Sequence, residues 1–180
     1  VEKAGDAESV KVVSFPGDSI QDSYLYDGCI VNKDYVLEGR DEYSHLVLLN
    51  TGLENEKSED NIQLQMNSES FQSYKASSKT HLIESAKRLV EYMPEGGVVF
   101  VRDNVNDFVC SYLKKNHIMV VRRVPESTLR TLSRVADTPI CQTPEEVEYC
   151  APVEIKREKH NDVWYLFVSG ELVSDVATLR

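Results

Sequence analysis

VVFVRDNVNDFVCSYLKKNHIMVV, the stretch from Val98 to Val121, decides the fold class of this 180-residue chain. Its two ends, Val98–Val101 and Ile118–Val121, are continuous apolar runs of the kind found in strands that are buried on both faces of a parallel sheet. Between them, apolar residues recur at helical spacing, at Val105, Phe108, Val109, Tyr112 and Leu113. The stretch therefore predicts a strand–helix–strand unit.

The same alternation of helix and strand continues on either side. Upstream, helical spacing of apolar residues predicts a helix over Lys79–Met93, with Thr80 as its N-cap. Downstream, a third helix is predicted from Pro125 to Ala136, with Leu129, Leu132 and Val135 on its buried face. Alternating helices and strands indicate an α/β domain.

Shorter strands flank this central part and give the predicted fold an α+β character. They are predicted at Val10–Val13, Gly28–Val31, Leu46–Leu49, Asn61–Met66 and Val176–Leu179, with a β-hairpin formed by Pro152–Glu158 and Val163–Val168. Residues 1–9 are polar and predict a disordered lead-in. Residues 10–180 are then expected to form one three-layer domain, with a central sheet flanked by helices.

Composition excludes several classes of function. The net charge of −10 argues against a nucleic-acid partner, because binding to a phosphate backbone depends on clustered basic residues. The apolar runs are far shorter than the roughly 20 residues of a membrane span, and no secretory signal opens the sequence. The four cysteines, Cys29, Cys110, Cys141 and Cys150, lack Cys-x-x-Cys spacing. Scattered thiols of this kind favour a reducing, cytoplasmic location.

The residues offer no pattern that would support catalysis. The four histidines, at positions 45, 81, 117 and 160, show no His-x-x-x-His spacing, so a metal site is not expected. No glycine-rich phosphate loop is found, and Gly96-Gly97 follows a helix as a stop signal. The acidic stretch Glu54–Asp60 is best interpreted as a solvated loop, with weak cation binding left open. The residues alone thus predict a binding module, not an enzyme.

The sequence also resembles a known protein family, and this resemblance indicates a function that the patterns above do not. The segment Phe15–Lys33 is similar to the Gly-Gly-Ser-Ile-x-Asp-Ser-x-Leu-x-x-Gly-x-Val-x-x-Lys stretch of group II chaperonins, the family of the CCT/TRiC ring and the thermosome. Matching positions include Gly17, Asp22 and Gly28, although Asp18 stands where many members have a second glycine. The segment ending in Val-Val-Arg-Arg-Val124, the strand Pro139–Cys141 and the end Ala177–Arg180 also resemble the family, in the same order.

The resemblance implies that residues 10–180 are the apical, substrate-binding domain of a longer chaperonin subunit. The short stretch between Lys33 and Leu46, together with Tyr149-Cys150, looks most like the theta subunit. The family's Gly-Asp-Gly-Thr nucleotide motif is absent, so Mg-ATP is expected only in the full-length subunit. An alternative is the chaperonin-like interaction domain of phosphoinositide kinases of the Fab/PIKfyve type. The sequence flanking the chain would separate the two, since one carries an equatorial domain and the other a kinase domain.

The resemblance also implies a site and its partners. Unfolded clients of the actin and tubulin type would bind a groove between the helix Val105–Lys115 and the loop Tyr35–Tyr43, inside a ring of other subunits. With its apolar stripe packed on the sheet, the helix would expose Asp107, Cys110, Ser111, Lys114 and Lys115. The loop would add Tyr35, Leu37, Arg40 and Tyr43. A built-in lid would lie at residues 68–93, with a mobile first part anchored only by Phe71 and Tyr74.

Overall fold

Two apolar layers separated by one sheet organise the molecule. The computed structural model describes residues 10–15, 21, 23–54, 68–170 and 177–179. The predicted lead-in at 1–9 and the predicted strand Asn61–Met66 lie outside these residues, as do Gly17 and Asp22 of the chaperonin-like segment.

The order of the elements along the chain follows the predicted alternation. The strands are β1 (Val10–Val12), β2 (Leu25–Tyr26), β3 (Cys29–Val31), β4 (Glu42–Leu49), β5 (Gly97–Val101), β6 (Ile118–Val121), β7 (Ala151–His160), β8 (Val163–Gly170) and β9 (Ala177–Leu179). The helices are α1 (Ser68–Tyr92), α2 (Asp107–Lys115) and α3 (Glu126–Ala136), and a 3-10 turn occupies Pro144–Glu146.

The main sheet is mixed. Its strand order is β3-β8-β7-β4-β5-β6, in which β4, β5 and β6 run parallel and the other neighbours are antiparallel. The parallel part is continuous and apolar because helices cover both of its faces. A second, small sheet joins β1, β9 and β2, with β1 parallel to β9. The predicted α/β class is confirmed.

The core is divided by the alternation of side chains along the strands. On one face, α3 inserts Leu129, Leu132 and Val135 against the sheet, as predicted. On the other face, α1 and α2 cover the odd-numbered residues of β4 and β5, among them Val47 and Val99. The result is a helix–sheet–helix arrangement of three layers.

Three predicted elements differ from the structure. Helix α1 begins at Ser68, eleven residues before the predicted start, so Thr80 lies within the helix and is not its N-cap. The strand expected at Pro139–Cys141 is a single parallel bridge from Cys141 to Leu49. Strand β4 begins at Glu42, four residues before its predicted start at Leu46. Strand β2 was not predicted, because a two-residue strand leaves no periodic pattern.

Candidate functional site

A groove lies beside the end of the helix and the loop that were expected to form the site. An open groove of about 570 Å³ lies between the C-terminal end of α2, the loop that precedes β4, and the β7–β8 hairpin. Its lining consists of Glu38, Gly39, Arg40, Asp41 and Tyr43 from the loop and β4, Lys114 and His117 from the end of α2, Met119 from β6, and Arg157 and Trp164 from the hairpin.

The loop is fixed along the outer edge of the sheet. The amide of Val36 donates a hydrogen bond to the carbonyl oxygen of Val120, at 2.9 Å, so the loop continues the pairing of β6 for one residue. Tyr35 packs into the core on the α3 face, whereas Leu37 packs on the α2 face. The loop thus contributes to both apolar layers, and its next residues, from Glu38 to Asp41, form one wall of the groove.

Gly39 permits the close approach of this wall to the sheet. A Cβ atom at this position would lie against Met119 Sδ and 2.9 Å from the hydroxyl of Tyr43. That hydroxyl accepts a hydrogen bond from the amide of Arg40 at 3.1 Å. A larger side chain at Gly39 would therefore require the side chains of Met119 and Tyr43 to move.

Arg157 joins the loop to the hairpin. Its Nε and Nη2 atoms donate hydrogen bonds to the two carboxylate oxygens of Asp34, at 2.8 and 2.9 Å. Its guanidinium carbon lies 3.8 Å from the centre of the Trp164 ring and 5.5 Å from that of Tyr35. The hydrogen bonds to Asp34 raise the pKa of Arg157 further above the physiological range, so the guanidinium is charged.

Sequence reasoning missed Arg157 and Trp164, although a signal for Arg157 existed. Asp34 and Arg157 are far apart in the chain, and no local pattern links them. Side chains two apart on a strand share a face, however, and Val153 and Ile155 are buried. Arg157 is the next residue in that series, and its side chain is only 8% exposed. A charged residue in an inward-facing register indicates a paired, buried group.

The predicted site residues separate into three groups. Arg40, Tyr43 and Lys114 line the groove. The side chains of Tyr35 and Leu37 pack from the loop into the core. Tyr35 is 7% exposed, and burial raises the pKa of its hydroxyl. Asp107, Ser111 and Lys115 are exposed on α2 but lie outside the groove lining.

The prediction for Cys110 was wrong, and so was the one for Phe108. Cys110, expected on the open face, is 2% exposed, whereas Phe108, expected in the core, is 60% exposed. A helix advances about 100° per residue, so Phe108 and Cys110 lie on opposite sides of the buried Val109. Helix α2 packs through the side that carries Cys110, and Tyr112 is only partly buried.

The thiol of Cys110 is correspondingly unsuited to surface chemistry. Burial raises its pKa, and the nearby carboxylate of Asp107 adds to the effect. Both causes disfavour the thiolate, which is the reactive form. Cys110 is therefore a small core residue.

The predicted lid region is helical throughout. Residues 68–93, expected as a mobile segment followed by a helix, contain the single helix α1 from Ser68 to Tyr92. The side chains of Phe71 and Tyr74 lie outside the described part of the structure. Near the middle of the helix, Ser85 donates a hydrogen bond to Glu145 of the 3-10 turn at 3.1 Å, which fixes the second half of α1 to the body.

Neither a metal-binding cluster nor a membrane-crossing helix occurs in the part of the chain that the structure describes. No group of three or more His, Cys, Asp or Glu side chains within them could hold a metal ion. Among the helices described, none is long and apolar enough to cross a membrane.

Comparison with known proteins identifies the family. The sequence matches the TCP-1/cpn60 chaperonin family over residues 1–180, and the chain belongs to that family. It is 28% identical over 174 residues to thermosome subunit beta of Thermococcus sp. (strain KS-8), an alignment that covers 92% of this chain and 31% of the relative. It is 28% identical over 142 residues to T-complex protein 1 subunit gamma of Tetrahymena pyriformis, covering 77% of this chain and 25% of the relative.

The fold agrees with this assignment. A solved structure described as the open-state monomer of a group II chaperonin from Methanococcoides burtonii superposes with a TM-score of 0.73 at 22% identity, covering 96% of this chain and 38% of that one. The chain is thus a group II chaperonin domain that spans about a third of the length of the thermosome subunits it matches. The likeness to the theta subunit stays a prediction.

Proposed function

We propose that this chain is the apical domain of a chaperonin ring subunit, and that it binds unfolded or partly folded polypeptides. The groove between α2 and the loop before β4 carries this proposal, because it is open, large and formed by two elements of different parts of the chain. In the full-length subunit, Mg-ATP bound to another domain would drive the ring. Family membership supports this assignment.

The lining of the groove suits extended, chemically mixed segments. Tyr43, Met119 and Trp164 supply apolar surface, while Glu38, Asp41 and Lys114 supply charges of both signs. Such a surface offers few large apolar anchors, so each contact would contribute little and binding would be weak and selective. Clients of the actin and tubulin type remain the proposal that the resemblance suggests.

The remaining parts of the proposal concern the assembly. We infer that other chaperonin subunits form a double ring with this one in the cytoplasm, and that α1 contributes to a lid over the chamber. The alternative, an interaction domain of a phosphoinositide kinase, is not favoured, since the relatives described above are thermosome and T-complex subunits.

Cross-linking tests the location of the binding surface. A photoreactive group would be attached at Lys114→Cys, in the groove, and at the matched control Arg134→Cys, on the exposed side of α3. The probe is reduced, carboxymethylated α-lactalbumin, a permanently unfolded chain. We expect cross-links from position 114 that native α-lactalbumin does not give, and few from position 134. Equal labelling from both positions would contradict a groove-based site.

A further inference from the structure

We propose that Arg157 is the positioning residue of this groove: it holds the loop from Asp34 to Asp41 in the conformation that makes the groove wall. This inference rests on the proposed function, and it assigns to a residue of the hairpin control over the opposite, loop-formed wall of the groove. The reason is that Arg157 contacts both ends of this loop.

Arg157 contacts both ends of the loop. At the first end, its side chain forms the two-pronged ion pair with Asp34, whose carboxylate also accepts a hydrogen bond from the amide of Tyr35 at 2.7 Å. At the second end, the backbone amide of Arg157 donates to the carbonyl oxygen of Asp41 at 2.7 Å, and its Nη1 lies 3.8 Å from the Asp41 carboxylate. The wall residues Glu38, Gly39 and Arg40 lie between these two attachments.

The surroundings of the Arg157 guanidinium make it depend on Asp34 for its counter-charge. Its flat face stacks on Trp164, and its side chain is almost fully buried. A buried charge that loses its partner is strongly destabilised. If the loop left its position, Asp34 would leave with it and the guanidinium would lose its principal counter-charge. We call the loop docked when Val36 is bonded to Val120. The docked loop and the stacked arginine therefore form one cooperative unit.

The buried hydroxyl of Tyr35 opposes the docked position of the loop. This hydroxyl has no hydrogen-bond partner among the described residues. A buried, unpartnered hydroxyl is unfavourable relative to the same group in water. Undocking of the loop would hydrate this hydroxyl, so the Tyr35 hydroxyl favours the open loop, while the buried Tyr35 ring and Arg157 favour the docked one. The loop is thus balanced between two opposing contributions that can be changed separately.

The balance determines affinity if only the docked loop completes the groove. The apparent dissociation constant of a client then equals the intrinsic one divided by the docked fraction. A variant in which the loop is docked in about a tenth of the molecules would bind roughly tenfold more weakly than one in which it is always docked. Asp34 lies outside the groove lining, so Asp34→Asn changes the docked fraction without changing that lining.

Two variants with opposite expected effects test the inference. Arg157→Lys keeps the charge but loses the planar, two-pronged contact and the stacking. Tyr35→Phe removes the unpartnered hydroxyl and keeps the ring. The matched control is Arg130→Lys, an exposed arginine of α3 that is paired with Glu126. Two quantities are measured for each: hydrogen exchange of the Val36 amide, which is bonded to Val120, and the dissociation constant for fluorescent, reduced, carboxymethylated α-lactalbumin.

We expect Arg157→Lys to accelerate exchange at Val36 about tenfold and to weaken binding by the factor by which the docked fraction falls, with exchange at Val99 in β5 unchanged. Tyr35→Phe should slow exchange at Val36 and tighten binding, and Arg130→Lys should alter neither. If Arg157→Lys unfolds the domain, shown by faster exchange at Val99, Asp34→Asn and Tyr35→Phe decide the question.

The outcomes separate the two proposals. An unaltered Val36 exchange rate in Arg157→Lys would overturn the positioning role, and so would an affinity that does not follow the docked fraction given by the exchange rate. Absence of any binding by the unsubstituted chain would instead overturn the proposed function, and the exchange rates alone would then decide whether Arg157 positions the loop.

Discussion

Side chains of α2 that are close in sequence lie in opposite environments. Leu113 is fully buried beneath the helix, between α2 and the sheet, whereas the ring of Phe108 is mostly exposed to solvent. Large exposed apolar side chains contribute little to folding, and clusters of them mark interaction surfaces. The exposed Phe108 ring belongs to the same helix that lines the groove. We therefore expect the stability of the domain and its client binding to depend on different side chains of α2.

Truncation of these two residues should give very different losses of stability. We expect Leu113→Ala to lower the free energy of unfolding by about 2–5 kcal/mol, because it leaves a cavity in a packed core. Phe108→Ala should change it by no more than about 0.5 kcal/mol, as for other surface substitutions. Urea denaturation of both variants measures the difference. Equal losses would mean that Phe108 is packed and that the described orientation of α2 is wrong.

Helix α1 has two halves that differ in composition. At about 1.5 Å per residue, its 25 residues extend roughly 37 Å. The second half packs on the body through Ala86, Leu89 and Met93 and is fixed by the hydrogen bond from Ser85 to Glu145. The first half is rich in serine and polar residues. Helical turns without tertiary packing are only marginally stable in water.

Hydrogen exchange should reveal this difference within one helix. We expect the amides from Ser70 to Ala76 to exchange much faster than those of Val98–Val101 in the core, and faster than those around Leu89 in the same helix. This result would support a lid segment that is ordered by neighbouring subunits in a closed ring. Protection from Ser70 to Ala76 equal to that of Val98–Val101 would contradict the mobile-lid proposal, since it would mean a fixed helix.

At the scale of the whole molecule, we propose that the chain is one domain of a longer chaperonin subunit. It spans 31% of the length of its thermosome relatives, and its sequence contains neither a phosphate loop nor the Gly-Asp-Gly-Thr motif. Nucleotide binding requires backbone amides arranged around phosphates, for which glycine-rich loops are the usual solution. We therefore expect that the chain by itself does not bind ATP.

Calorimetry should find no nucleotide binding by this chain. Titration of Mg-ATP into the protein is expected to give only the heat of dilution measured in a matched titration into buffer. The same protein sample should bind the unfolded α-lactalbumin probe, which shows that it is folded and competent. Micromolar binding of Mg-ATP would contradict this prediction and would require a nucleotide site that the sequence does not indicate.

The sequence predicted most of the elements because their patterns are local. The apolar runs of β5 and β6 and the helical spacing of α3 each arise from a few neighbouring residues that face one layer. Helix α2 was predicted at the right place, but its orientation was wrong. Apolar residues lie on more than one side of it, and only packing against the sheet selects the side of Cys110 over that of Phe108.

What the sequence determined by itself, therefore, is the order of strands and helices and the family to which the chain belongs, since both depend on neighbouring residues and on motifs in fixed order. The tertiary structure alone decided the site. The ion pair of Asp34 with Arg157, the stack on Trp164 and the pairing of Val36 with Val120 join residues that are distant in the chain. Such contacts leave no local pattern, because they exist only once the sheet has set loop and hairpin side by side.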